Sequence, residues 1–177
     1  MKRELKQTKD GSYTWYLPEL KEHYHSVHGA LQESNHVFLE AGLRHWWNLY
    51  GNRVPHILEV GLGSGLNLGL SLQEAHARQQ SICYTALEPF PPEASELALI
   101  QKDQDWAQSL PQPLYLKSGE WRKAPLLEFC WLQKSLTELD REGPFDLIYF
   151  DAFAPEKQAE LWTEEVFRAL YERANPG

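Results

Sequence analysis

The amino-acid sequence predicts an α/β fold, a mostly parallel sheet with helices on both faces. Three observations predict it. From residue 55 onwards, short apolar runs alternate with stretches of helical periodicity, the pattern of a chain that crosses over after each strand. A glycine-rich turn, Gly61 to Asn67, joins the first run to the first of these helices. Three of the runs carry an acid at their carboxyl end: Glu59, Glu88 and Asp151. Right-handed crossovers bring such ends to one edge of a parallel sheet, where ligands bind.

The elements follow in order. Asp10-Gly11 is a turn signal, and Ser12 to Leu17 reads as a short strand. Tyr24 to Ala30 has no clear period. Between Ser34 and Tyr50 the apolar residues Val37, Phe38, Ala41, Leu43, Trp46, Trp47 and Tyr50 fall near helical spacing, and Gly51-Asn52 ends that helix. Residues 1–50 therefore read as an N-terminal extension packing on a core and its cleft, and residues 51–177 as the core. There, Pro55 to Val60 is a buried strand, Leu68 to Arg78 a helix and Ser81 to Leu87 a second strand. Pro91 and Pro92 open a helix through about Gln101, since proline is tolerated in a first turn. Leu114 to Leu116 and Leu126 to Leu132 read as strands, with Ser118-Gly119 turning between them. Gly143-Pro144 breaks the chain before a strand from Phe145 to Phe150. Ala159 to Ala174 is an amphipathic helix whose stripe is Leu161, Trp162, Val166, Phe167 and Leu170.

The 177 residues suit one domain, and 42% apolar with 24% charged residues is ordinary for a globular protein. No apolar run approaches the roughly 20 residues of a membrane helix, and the first seven residues lack a signal peptide's apolar core. Cys83 and Cys130 both lie in apolar stretches, which suits buried free thiols in a reducing cytoplasm. The formal net charge of −8 argues against a nucleic-acid grip spread over the whole surface, while leaving room for a local basic patch.

Leu58 to Asn67 reads E-x-G-x-G-x-G, with Glu59 ahead of Gly61, Gly63 and Gly65. These glycines permit a sharp turn and close backbone approach to a ligand. The spacing is not the G-x-G-x-x-G of a dinucleotide enzyme. An acid beside such a loop can hold a cationic amino group, and Glu88, at the end of the next strand, can accept both hydroxyls of a ribose. Asp151, in Phe150-Asp-Ala-Phe-Ala-Pro155, can orient an attacking amine together with backbone carbonyls, and Phe153 can stack on a flat substrate. His25 and His28 lack further ligands at metal spacing, so a structural or substrate-contacting role fits them better; no metal is expected.

Beyond the glycine loop, the residues Asp10-Gly-Ser12, Tyr24-His-Ser-Val-His-Gly-Ala-Leu-Gln-Glu-Ser34, Val37-Phe-Leu39, Leu87-Glu-Pro-Phe90, Phe150-Asp-Ala-Phe-Ala-Pro155, Glu160-Leu-Trp-Thr163 and Asn175-Pro-Gly177 together resemble the methyltransferase domain of the MnmC family and its stand-alone relatives. These are Rossmann-like class I methyltransferases. The resemblance implies S-adenosyl-L-methionine as cofactor. It implies methyl transfer to the exocyclic amine of 5-aminomethyluridine, often 2-thiolated, at the wobble position of tRNA, with the upstream oxidase a separate protein. It gives Gly61, Gly63, Gly65 and Asn67 as the cofactor loop, Glu88 as the ribose acid, and Asp151, Phe153 and Pro155 as the catalytic and substrate loop. Glu33 closes over the cofactor.

Two departures stand out. The family reads the adenine amino group with an acid after its third core strand, where this chain has Trp131-Leu-Gln-Lys-Ser135, leaving Gln133 or a backbone carbonyl to substitute. In this fold a last strand, helix and antiparallel strand also follow Asn175-Pro-Gly177. Without them the strand ending at Asp151 is an open edge, expected of a fragment or of a chain whose partner or second copy covers that edge. The acidic charge keeps a small-molecule amine methyltransferase as one alternative, and the missing adenine acid keeps a non-catalytic binding module as another.

Overall fold

A computed structural model of the protein describes residues 2–140 and 142–176. Gly177, the last residue of the Asn175-Pro-Gly match, lies outside them. The chain opens with an antiparallel sheet of β1 (Glu4–Gln7), β2 (Tyr13–Leu17) and β3 (Glu22–His23), in the order β1-β2-β3. Only its central strand was expected. β1 carries too few apolar residues to show a period, and β3 is two residues long. A helical rod follows: α1 (Ala30–Ser34), a π-helical section (Asn35–Arg44) and α2 (His45–Tyr50). It starts four residues before the expected Ser34. Its wide-turn middle lets Phe38, Leu39 and Leu43 face the core together.

The main sheet has five strands in the order β6-β7-β5-β4-β8. β4 (His56–Val60) lies parallel to β5 (Ile82–Leu87) on one side and to β8 (Leu147–Phe150) on the other. β5 is parallel to β7 (Leu127–Leu132), and β6 (Arg122–Ala124) closes that edge antiparallel to β7. The expected strand at 114–116 is absent: Leu114 is buried as a core side chain, and β6 supplies the hairpin partner instead. α3 (Leu66–Arg78), α4 (Ala94–Ile100) and α5 (Glu164–Arg173) complete the fold. Pro91 and Pro92 precede α4 rather than opening it, and Glu96 reaches back to accept the Glu93 N–H at 2.9 Å. α5 begins at Glu164 because Thr163 caps it, with a separate single turn at Ala159–Leu161 before it.

Alternation along each strand sorts the side chains onto two faces. Ile57, Tyr84, Phe129, Trp131 and Tyr149 point to one face, where the helical rod and α3 pack. Leu58, Val60, Leu87, Cys130 and Leu132 point to the other, against α5 and Leu136. Trp15, Ala30, Phe38, Leu43, Trp46 and Trp47 join the first cluster, so the N-terminal residues share the sheet's core and have none of their own. Both cysteines are free; Cys130 is buried, but Cys83 is only half-buried. Burial pushes the Cys83 thiol up to about 11. Among the described residues no helix is long and apolar enough to cross a membrane.

β8 is the edge strand, as expected, but its start is not bare. The Phe145 N–H donates to Arg173 O and the Asn175 N–H to Phe145 O, each at 2.7 Å, which makes a single parallel bridge between Phe145 and Ala174.

Gly69 lies in the middle of α3, where a Cβ would stand 2.6 Å from the Trp106 carbonyl oxygen and 2.8 Å from its ring. Alanine there gains about 1 kcal/mol of helix propensity but overpacks against backbone, at a cost of about 1–3 kcal/mol. Gly69→Ala is therefore expected to lower the urea midpoint of unfolding. A raised midpoint would show that the 105–109 segment yields.

Candidate active site

The carboxyl ends of β4, β5, β7 and β8 open onto one crevice of about 590 Å³, walled by Tyr24 and His25 from the N-terminal extension. Its floor is the turn after β4. Gly61, Gly63 and Gly65 all have positive φ, at +94°, +51° and +82°, a region costly for side chains bearing a Cβ. A Cβ on Gly61 would stand 2.6 Å from the Asp151 carbonyl oxygen, so here the glycine is what lets the tips of β4 and β8 approach. The Tyr115 hydroxyl donates to Gly63 O at 2.8 Å and the Gln101 amide to Ser64 O at 2.9 Å. These two bonds hold the turn from behind.

Glu88 stands at the end of β5, 6% exposed. One carboxyl oxygen accepts the Gly63 N–H and the other the Phe90 N–H, each at 3.0 Å. Burial pushes this carboxyl above the usual range, and the two backbone donors pull it back. Each oxygen keeps one lone pair, which suits a vicinal diol.

Asp151 follows β8, and its side chain is 19% exposed. Asn67, in the first turn of α3, donates to its Oδ2 at 2.8 Å and to Glu59 Oε1 at 2.9 Å through the same amide nitrogen. Burial raises the Asp151 carboxyl; His25 and Asn67 oppose that rise. Glu59 is fully buried, and its second oxygen accepts the Tyr84 hydroxyl at 2.9 Å. Burial, with Asp151 nearby, holds Glu59 well above the usual carboxylate range.

Gly61, Gly63, Asn67, Glu88, Asp151 and Phe153 all line the crevice. Four expected residues do not. Glu59 lies beneath it, because strand alternation aims its side chain at Asn67 and Tyr84, and it reaches the crevice only through Asn67. Gly65 packs under Leu110 and Leu114. Pro155 is exposed and stands outside the crevice lining. Glu33 lines a second cavity of about 350 Å³, where it accepts the Ser26 N–H at 2.8 Å.

Phe153 is braced on three sides. Its N–H donates to Gln158 at 2.8 Å, its carbonyl accepts the Trp162 indole N–H at 2.8 Å, and its ring meets Tyr24 edge-on at 5.2 Å. Sequence reasoning left His25 between a structural and a substrate-contacting role and missed Tyr24 as a site residue, since both lie on a stretch without a period; both line the crevice. It also missed Glu138. This carboxylate lines the crevice three residues beyond the stretch inspected for an adenine acid, and it accepts the Ser135 N–H at 2.8 Å. That hydrogen bond holds it below its ordinary value. Among the described residues no three His, Cys, Asp or Glu side chains gather as metal ligands would.

Residues 99–177 match the model of a family described as S-adenosyl-L-methionine-dependent methyltransferases. More particularly, the chain is similar to the MnmC methyltransferase domain. It is 32% identical, over 92% of its length, to the tRNA 5-methylaminomethyl-2-thiouridine biosynthesis bifunctional protein MnmC of Cupriavidus necator. It is 29% identical over 93% to that of Cupriavidus metallidurans. The chain spans about a quarter of each relative, 26% in both cases. The crystal structure of MNMC2 from Aquifex aeolicus superposes with a TM-score of 0.75 over 98% of this chain and 57% of that one; at 23% identity the likeness speaks for the fold.

Two predictions follow from the floor and its carboxyls. Gly61→Ala puts a Cβ into the Asp151 backbone at a strained φ, worth about 1–3 kcal/mol. It is expected to weaken S-adenosylhomocysteine binding about tenfold or more by calorimetry, and unchanged affinity would show that the tips need not touch. Glu59, with its raised carboxyl, binds its proton more tightly folded than unfolded. Its contribution to stability is therefore present at acid pH and is lost as pH rises through the folded value. Glu59→Gln should flatten the fall in Tm as pH rises above the ordinary carboxylate value of about 4.3, and a slope equal to that of the parent chain would remove Glu59 as its source.

Proposed function

We propose that the chain transfers the methyl group of S-adenosyl-L-methionine to the exocyclic amine of 5-aminomethyluridine, or its 2-thio form, at the wobble position of tRNA. The observation that carries this reading is the convergence of the glycine turn, Glu88 and Asp151 on one crevice, with Phe153 at its mouth. The residues present fit the cofactor. Gly61 and Gly63 line the crevice with bare backbone, which lets a ligand approach closely. Glu88 offers two lone pairs to the ribose hydroxyls. Asn67 Oδ1 is buried without a partner and can accept from the cofactor's amino group. Gln133 and Glu138 line the crevice and would be the groups to read the adenine. When bound, the cofactor supplies an electrophilic methyl group on a sulfonium.

The protein's own part is to orient and to desolvate. Asp151, fixed by Asn67, accepts a hydrogen bond from the substrate amine and so aims its lone pair. The same carboxylate offsets the positive charge that develops on that nitrogen. Phe153, braced by Gln158 and Trp162, offers a ring face to the uracil. The names of the relatives support tRNA as the acceptor. The net charge of −8 favours a second reading, a small-molecule amine.

Purified chain, labelled methyl donor, and tRNA with or without the aminomethyl group separate the two. Label is expected only in the aminomethylated tRNA; methylation of free amines with none in tRNA would transfer the assignment to the second reading. Asp151→Ala should lose about a hundredfold or more in turnover while retaining S-adenosylhomocysteine affinity. Full activity in that variant would reject the role given to Asp151.

A further inference from the structure

We propose that the amine enters through the second cavity and that His25, at the junction of the two cavities, takes its proton. The proposal rests on the methyl-transfer reading above. The cavities meet at a shared wall of Tyr24, His25 and Phe153. The second is lined by Glu22, His23, Ser26, Val27, Glu33 and Ala154 besides that wall, with carboxylates and no lysine or arginine. Such a mouth favours a cationic group over a phosphate.

His25 is held where this role needs it. Its N–H donates at 2.9 Å to the hydroxyl of Thr14, a fully buried residue of β2, so the backbone is pinned. Its imidazole is 9% exposed, with Nδ1 4.0 Å from Asp151 Oδ2. That separation suits two charges but exceeds a hydrogen bond, so the ring and the carboxylate do not consume each other's capacity. The charged and titratable groups around the ring are Asp151 from the β8 loop, Glu33 from α1, Glu22 and His23 from β3, and Tyr24, whose hydroxyl accepts from Arg3 at 3.1 Å.

The chemistry demands a proton acceptor. An alkylamine titrates near lysine, about 10, so at neutral pH it arrives as an ammonium with no lone pair. A histidine ring is the side chain most often used for such a proton transfer. One N–H bond of the ammonium breaks and its electron pair stays on nitrogen as the nucleophilic lone pair. The proton bonds to an imidazole ring nitrogen, forming an imidazolium beside the Asp151 carboxylate. The proton then leaves to water through the second cavity. Charge is conserved at each step, and no further reactant is needed.

The test uses the full chain, with His25→Gln and His25→Ala. Both should bind S-adenosylhomocysteine like the parent. Turnover on aminomethylated tRNA should fall about a hundredfold at about pH 7, with KM little changed. The deficit should shrink towards about pH 9.5, as solvent deprotonates the amine, and free imidazole should restore part of the His25→Ala activity. In the parent, with S-adenosylhomocysteine bound, histidine nitrogen NMR should show the His25 ring moving towards its protonated form when aminomethylated tRNA is added. This arm decides the matter if the variants do not fold. Parent-like turnover, a deficit equal at every pH, or an unmoved His25 resonance would overturn the proposal. A parent chain that transfers no methyl group to tRNA would instead overturn the methyl-transfer reading, and this proposal with it.

Discussion

One side-chain amide holds the site together. The Asn67 nitrogen donates to Glu59 below the crevice and to Asp151 beside it, so a single group in the first turn of α3 ties the helix to the ends of two neighbouring parallel strands. Without that amide, two carboxyls burdened by burial would stand near each other, each raising the other's pKa. With it, they share one donor group and keep a fixed orientation. The glycine turn ends at the same asparagine. Where Asn67 sits therefore also sets where the Gly61 and Gly63 backbone lies. Loop, helix and the Asp151 carboxylate are placed by one joint.

The N-terminal residues close the crevice by a similar economy. Arg3 donates to the Tyr24 hydroxyl, to Glu96 on α4 at 3.0 Å and to the Phe90 carbonyl. Its guanidinium also lies 5.5 Å from the Trp15 ring centroid. One cation thus fastens β1 to the loop after β5 and presses Tyr24 against Phe153. Its charge is dispersed over a phenol, a carboxylate and a carbonyl, and this dispersal makes a deeply set arginine tolerable. The wall of the crevice and the small sheet that carries it are one unit for that reason.

The parallel sheet was legible because burial on both faces writes near-continuous apolar runs, as in Ile57–Leu58 and Ile82 to Leu87, and glycine and proline punctuate them. The strand-end acids were legible because the crossover rule puts every carboxyl end on one edge. What stayed hidden has physical causes. Glu59 was read as a ligand group because position along a strand was considered without its face, and alternation turns it inward to Tyr84. Leu114 to Leu116 looked like a strand, though Leu114 is apolar because it fills a core site against Gly65. β1 and β3 are held by cross-strand hydrogen bonds and by Arg3, and such contacts leave no period. His25 came from a stretch without periodicity, and only folding brings it to Asp151, 126 positions away in sequence.

The charge pattern of the site explains why an acidic protein suits this chemistry. Glu59, Glu88 and Asp151 are all pushed above their ordinary pKa by burial, so negative charge in the crevice is costly until something positive enters. A pyrophosphate would raise that cost, which agrees with a glycine turn that departs from the dinucleotide spacing. A sulfonium, an α-ammonium group and an alkylammonium would each lower it, and these are the cations that the proposed reaction brings. On this view the carboxyls act as selectors as well as contacts. A cation placed beside a buried carboxyl favours its charged form, so part of each ligand's affinity comes from offsetting a penalty that burial imposed on the fold.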